Sequence, residues 1–248
     1  MMGVIYIMWL RQLKRYWRSR SRMIGTLGQP ILFLIALGFG FDAIFQQAGQ
    51  GSYMQFLAPG VVAMSILFTS MFNGIEVIWD RQFGFLKETL VAPVSRFRIV
   101  IGRTLGGATV AFLQGILVLV ISMFLGFSLS NFMGMPIALL FMLLIALLFT
   151  ALGTAIASLM KDMNAFPLVM NFMIMPLFFL SGALFPVGNL PSFMGAIVRI
   201  NPLSYGVDGL RGALSSSVFG LPLDFAVMVS CFVIVGAIGS YLFSRIEI

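Results

Sequence analysis

"MPIALLFMLLIALLFTALGTAIASL", Met135–Leu159, runs for 25 residues without a single Lys, Arg, Asp or Glu. At 1.5 Å per residue a helix of that length reaches about 37 Å, enough to cross a hydrocarbon layer of roughly 30 Å. Apolar stretches of similar length recur on both sides of it, at about 24–45, 56–78, 102–127, 166–185 and 222–243. The chain has 248 residues, 60% apolar and 9% charged, with a mean hydropathy of +1.05. A soluble domain needs far more polar surface to cover its core. The pattern predicts an all-α membrane protein with six transmembrane helices.

The formal charge of +7 resembles a nucleic-acid signal, but its distribution points elsewhere. Six cations (Arg11, Lys14, Arg15, Arg18, Arg20, Arg22) precede the first span, and five (Arg81, Lys87, Arg96, Arg98, Arg103) follow the second. Lys161 and Arg245 fall on the same side. Only Arg199 and Arg211 fall on the other, which gives 13 against 2. Positive charge stays on the cytoplasmic face. Both termini are therefore expected inside, and nucleic acid is not an expected partner.

The N-terminus lacks the short apolar core and small-residue cleavage site of a secretory signal. Instead residues 1–23 read as an amphipathic helix. Ile5, Met8, Trp9, Leu13, Tyr16 and Trp17 share one stripe; Arg11, Lys14, Arg15, Arg18 and Arg22 share the other. Such a helix is expected in the headgroup plane, with Trp9, Arg11, Lys14, Arg15, Trp17 and Arg18 as its interface residues among membrane lipids. Residues 186–221 are too long for a turn, and their apolar patches are too short to span. They suit a re-entrant outer hairpin before the last span. Pro167, Pro176 and Pro186 interrupt the fifth span, so its outer half is not expected to be a straight rod.

Residues for chemistry are scarce. No histidine is present, and Cys231 has no partner, so it reads as a small buried hydrophobe. None of the three lysines sits in a G-x-x-x-x-G-K-[ST] phosphate loop. Neither catalytic nor metal-binding residues are expected, and no cofactor in this chain. The carboxylates fall at span ends or in loops, where water is expected to reach them. An ion-driven carrier would place such groups deep in its spans; here the span centres hold only weakly polar residues, such as Ser65, Thr69, Ser70, Asn73, Gln114, Thr150 and Asn171. Glu76, the deepest carboxylate, reads either as a gate or ion pair with Arg81 or Arg103, or as a snorkelling side chain at the interface. Asp42 reads as an interfacial anchor. The driving force is thus expected from another protein.

The segment "RQFGFLKETLVAPVSRFR", residues 81–98, is basic and apolar at once. Residues 81–92 fit three helical turns that end at Pro93, with Phe83, Leu86 and Leu90 on one face. Two readings stand side by side: a loop held to anionic lipid by its arginines, or a helix whose apolar knobs enter a groove on a cytoplasmic partner.

The stretch "FGFLKETLVAPVSRFRIVIGRTLGG" resembles the segment after the second span of ABC type-2 exporter permeases, through Gly84, Leu86, Glu88, Leu90, Ala92, Pro93, Ser95, Gly102 and Arg103. "RINPLSYGVDGLRGAL" resembles that family's motif before the last span, through Asn201, Pro202, Tyr205, Asp208, Arg211 and Gly212. "FFLSGALFPVGNLP" is similar to its daunorubicin-resistance-like multidrug exporter branch. The chain departs from the family at Phe85-Leu86-Lys87, which bears on which ATPase is recognised. The resemblance covers essentially the whole chain, residues 24–248 forming the six-span domain behind the N-terminal helix.

The resemblance implies the permease half of an exporter in a prokaryotic cytoplasmic membrane. Two copies, as a homodimer, form the pathway. Two separate ATP-binding-cassette subunits bind ATP and Mg. Residues 81–92 become the coupling helix, with Phe83, Gly84, Leu86, Lys87, Glu88, Leu90 and Pro93 at the ATPase contact. The first and fifth spans line the pathway, which places Phe33, Phe41, Met170, Met173, Phe178 and Phe179 on its wall. A wall rich in Met and Phe suits a drug-like, lipid or lipid-linked substrate, lipophilic or amphiphilic. The alternatives are a polysaccharide or glycolipid exporter of O-antigen, capsule or teichoic-acid type, a lipid-modifying membrane enzyme, and a scaffold without transport. Gly102 and Gly106, four apart, read as a packing site within the protomer or as a dimer seam.

Overall fold

The computed structural model describes residues 3–49, 51–85, 94–129, 131–186, 192–215 and 217–246. Helix α1 covers Gly3–Arg18 and α2 covers Arg20–Phe33, which runs on through a π-helical stretch, Leu34–Phe39; α3 is Asp42–Gln47. Helices α4 (Tyr53–Phe72) and α5 (Ile75–Gln82) follow, then α6 (Arg96–Phe124), α7 (Met135–Leu159) and α8 (Ala165–Phe179). Two short helices, α9 (Ser192–Ile200) and α10 (Pro202–Leu214), precede α11 (Leu221–Ser244). The described residues contain no strand.

Four stretches among the described residues are long and apolar enough to cross a membrane: Tyr53–Gln82, Arg96–Phe124, Phe132–Leu159 and Leu221–Ser244. Gly3–Arg18 and Met23–Phe39, bent by 74° to each other, add a fifth where the pair is counted as one span. The fourth expected span matches α7 residue for residue. The fifth does not become one membrane-long rod. Its helix stops at Phe179 after 15 residues, about 22 Å, and residues 180–185 turn back beyond Pro176.

Helix α4 is apolar around its whole circumference and lies at the centre, walled by α2, α6, α7 and α10. Helix α11 is as apolar, yet it lies at the edge against α7 and α10, with most of its surface uncovered. In lipid, hydropathy does not tell a central helix from a peripheral one.

Small residues set the closest contacts. At the α4–α5 break, Asn73 Nδ2 donates to the Gly107 carbonyl at 3.0 Å, and Gly74 lies against the Gly153 backbone. A Cβ at Gly153 would come within 2.6 Å of the Met71 carbonyl, so α4 and α7 touch backbone to backbone. Gly102 and Gly106 seat α1 within the same protomer: Cβ atoms there would lie 2.8 Å from Met8 Cβ and 2.7 Å from Gln12 Cβ.

Three further expectations change. The stripe of α1 that is buried is Met8, Gln12 and Tyr16, packed along α6 and not laid against lipid headgroups. The helix expected over 81–92 does not start at Arg81: Arg81 and Gln82 finish α5, and Gly84, at φ 80°, turns the chain before Phe85 is helical again. Asp224, expected within reach of water, is fully buried where α10 packs over the first turn of α11.

Candidate functional site

Glu76 and Asp80 are four residues apart on α5 and so share one face; Arg11 and Arg15 do the same on α1. The two faces meet in opposite order. Arg11 grips Asp80 with both ends of its fork, Nη1 donating to Oδ2 at 2.8 Å and Nη2 to Oδ1 at 2.6 Å. This is the planar bidentate match that a guanidinium makes with a carboxylate. Arg15 reaches Glu76 at 3.1 Å and Asp80 at 3.6 Å. From α6, Arg103 pairs with Asp80 and also donates to the Glu76 backbone carbonyl at 3.1 Å.

Burial makes the cluster consequential. Asp80 and Arg103 are only 3% and 4% exposed, and Glu76 is equally covered. Among the described residues three guanidinium groups meet two carboxylates, which leaves one surplus positive charge there. The surplus is least costly at Arg15, whose side chain is a third open to solvent. The cluster also touches the segment after α5, since the Arg11 guanidinium lies 3.8 Å from the Phe85 ring centroid. Gln82 Nε2 donates to the Lys161 carbonyl at 3.3 Å, tying α5 to the loop after α7. Residues 83–85 thereby adjoin a cluster that joins α1, α5 and α6.

The other expected residues fall into separate groups. Phe83 is 78% exposed beside Gly84, while Leu86, Lys87, Glu88, Leu90 and Pro93 lie outside the described residues. Arg81 is half-buried in the last turn of α5. On α1, Trp9 Nε1 donates to Thr109 Oγ1 at 3.0 Å, and Lys14 and Arg18 are exposed.

Asn201, Pro202, Tyr205, Asp208 and Arg211 act at the opposite end of the bundle. Asn201 caps α10 by accepting from Leu203 N at 3.0 Å and donates to the Leu177 carbonyl at 2.7 Å; Pro202 occupies the first helical position. Tyr205 OH donates to the Arg199 carbonyl at 2.8 Å. Asp208 accepts from Ser217 Oγ at 2.9 Å and from the backbone N–H groups of Val218 and Phe219. Arg211 donates to the Phe56 and Gly182 carbonyls, both at 3.2 Å, over the Phe56 ring. These residues fasten α10 to α4, to the turn after α8 and to the loop before α11.

Phe33, Phe41 and Phe179 line one apolar cavity of about 420 Å³. Met173 is half-buried, and Met170 and Phe178 are fully buried within the protomer, the Phe178 ring 6.1 Å from Phe33. Sequence reasoning missed Asp80 as the hub. The signal was present in two i, i+4 pairs of opposite charge, but nothing local says that residues 69 positions apart are neighbours.

Residues 3–215 match the family model described as "ABC-2 type transporter". The ycf38 permease of Cyanophora paradoxa is 29% identical over 95% of this chain and 84% of its own. Nodulation protein J of Rhizobium leguminosarum bv. trifolii is 30% identical, covering 83% of this chain and 76% of that protein. The inner membrane transport permease YadH of Escherichia coli (strain K12) is 29% identical over 89% and 87%.

Proposed function

We infer from the chain's place in the ABC-2 type transporter family, to which it belongs, that it is the membrane half of an ATP-driven exporter for drug-like, lipid or lipid-linked substrates. It works as a homodimer with two ATP-binding-cassette subunits, which bind the ATP and Mg. Both termini and the Asp80 cluster face the cytoplasm of a prokaryotic cell, as the cation count favours. The Phe83–Pro93 segment receives the ATPase.

The observation that carries this reading is the Arg11–Asp80–Arg103 cluster in contact with Phe85. The segment that is to receive the push abuts the one buried ion-pair hub among the described residues, and that hub joins three helices. Movement of the segment therefore reaches α1 and, through the bend at Ser19, α2. An apolar amphiphile fits the cavity at Phe33, Phe41 and Phe179, which has almost no polar lining.

The test is co-purification of the chain with an ATP-binding-cassette subunit from its own cell. Replacing Phe83, Leu86 and Leu90 by Ala together is expected to release that subunit or to abolish substrate-stimulated ATP hydrolysis in nanodiscs. Phe83 is mostly exposed, so its truncation leaves the fold intact. No bound ATPase on the native chain, together with unchanged activity in the variant, overturns the reading.

A further inference from the structure

Helices α2 and α4 part to leave a cavity of about 220 Å³, far above the roughly 10–15 Å³ that one water needs. Its walls are unlike the rest of the apolar interior. Gln29 faces it from α2, and Ser65 and Thr69, one turn apart, face it from α4. Tyr16 lines it at the end of α1, its hydroxyl held by Gln114. Phe68 and Phe72, stacked at 6.4 Å, cover another side.

The hydrogen bonding here is unfinished. Other buried serines satisfy their hydroxyls on nearby carbonyls: Ser122 on Leu119 at 2.7 Å, Ser158 on Thr154 at 2.8 Å, Ser70 on Ala146 at 3.4 Å. Ser65 is 2% exposed, lines the cavity, and its Oγ has no partner. A buried hydroxyl without a partner costs free energy that a bound donor or acceptor recovers. No Lys, Arg, Asp or Glu lines the cavity. An ionic group would lose its hydration there and gain no counter-charge.

We propose that this cavity is a subsite for the neutral, hydroxyl-bearing head of an amphiphile. The Gln29 amide and Ser65 Oγ, the latter brought to the cavity by a turn about its Cα–Cβ bond, hydrogen-bond its hydroxyls, and the Phe68–Phe72 wall covers its apolar face. Mostly apolar walls with a few placed polar groups are the usual make-up of a small-molecule site. The inference rests on the carrier reading above and narrows its substrate class: of lipophilic cargoes, those with a glycosyl or polyol head are preferred over cationic or anionic ones.

The experiment measures binding of three radiolabelled probes with the same tail, below their micellar concentrations. The probes are n-octyl β-D-glucoside, n-octyltrimethylammonium and n-octyl phosphate, and the target is the permease–ATPase complex in nanodiscs. The glucoside is expected to bind about tenfold more tightly than either ion. Ser65→Ala and Gln29→Leu are each expected to weaken glucoside binding by roughly 3–10-fold while leaving the ions unaffected. Ser70→Ala, whose hydroxyl is engaged on Ala146 outside the cavity, leaves all three unchanged. Melting curves confirm that each variant is folded.

Equal affinity for the three probes overturns the inference. So does a glucoside affinity that Ser65→Ala and Gln29→Leu both leave alone, for the cavity is then a water-filled packing void. Loss of the glucoside preference with ATP-driven transport intact removes this inference and spares the exporter reading. A preference that persists in a complex without transport removes the exporter reading and spares the subsite.

Discussion

Replacing Asp80 by Asn tests the ion-pair hub most directly, because it removes a charge and almost no volume. In the native protein the Asp80 carboxylate takes two hydrogen bonds from Arg11, at 2.8 and 2.6 Å, and one from Arg103, with Arg15 a further 3.6 Å away. The amide keeps one acceptor oxygen and turns its other end into a donor facing guanidinium groups. Arg103, 4% exposed, is left with the Glu76 backbone carbonyl and only the more distant pull of the Glu76 carboxylate. Breaking a buried pair in this way costs about 3–5 kcal/mol. Glu76→Gln is the control. Its partner Arg15 is a third open to water, so the loss is screened to about 1 kcal/mol or less. At roughly 2–4 °C per kcal/mol for a chain of this size, Asp80→Asn lowers the melting temperature by about 6–20 °C and Glu76→Gln by about 2–4 °C. Tryptophan fluorescence during heating in nanodiscs reads both. Adding Arg103→Gln to Asp80→Asn removes the stranded charge and recovers part of the loss, with a coupling energy of about 1–3 kcal/mol. Equal shifts for the two single variants, or a double variant whose losses simply add, would refute the hub.

Three further outcomes follow from the contacts. Arg11→Lys keeps the charge but loses the fork on Asp80 and the stack on Phe85; it is expected to reduce substrate-stimulated ATP hydrolysis while the melting temperature falls by only a few degrees, about 1–2 kcal/mol. Gly106→Leu places a side chain where Gln12 and the Trp9 backbone already lie, so α1 is expected to detach, and limited proteolysis near Ser19 should accelerate. Asp208→Ala strands the N–H groups of Val218 and Phe219 and the Ser217 hydroxyl, costing about 2–4 kcal/mol; hydrogen exchange at 217–220 should rise well above that in the rest of α10 and α11.

The helices were legible because hydropathy reports directly what lipid demands, and α7 matched its expected bounds to the residue. Position within the bundle was not: α4 and α11 are both strongly apolar, and only their neighbours make one central. The cluster was half legible. Glu76 stood out as a charged partner for Arg81 or Arg103 near a span end, and Arg103 does donate to its backbone carbonyl, but the closest carboxylate to Arg103 belongs to Asp80 and Arg15 reaches the Glu76 carboxylate. Arg11 and Arg15 read as headgroup anchors because amphipathic patterning shows where the cations of a helix lie and not what they face. Asp224 misled for the same reason: a carboxylate at a helix start looks wet until another helix is known to cover it.

The pairing also bears on the orientation inferred from charge. Three of the thirteen cations counted to one side, Arg11, Arg15 and Arg103, are engaged with Asp80 and Glu76 inside the protein. A cation held inside the protein in this way gives little hold on the cytoplasmic face, so the count should be taken without them. Ten against two remain, and Arg211, one of those two, is itself buried on backbone carbonyls. The sign of the asymmetry is unaffected. What changes is the division of labour along α1. Lys14 and Arg18 stay exposed and are free to meet lipid phosphate, while Arg11 and Arg15, one turn before each, hold the helix to α5. A single amphipathic helix thus has one set of cations for the membrane and another for the protein. The second set ties α1 to α5, beside the segment that begins at Phe83.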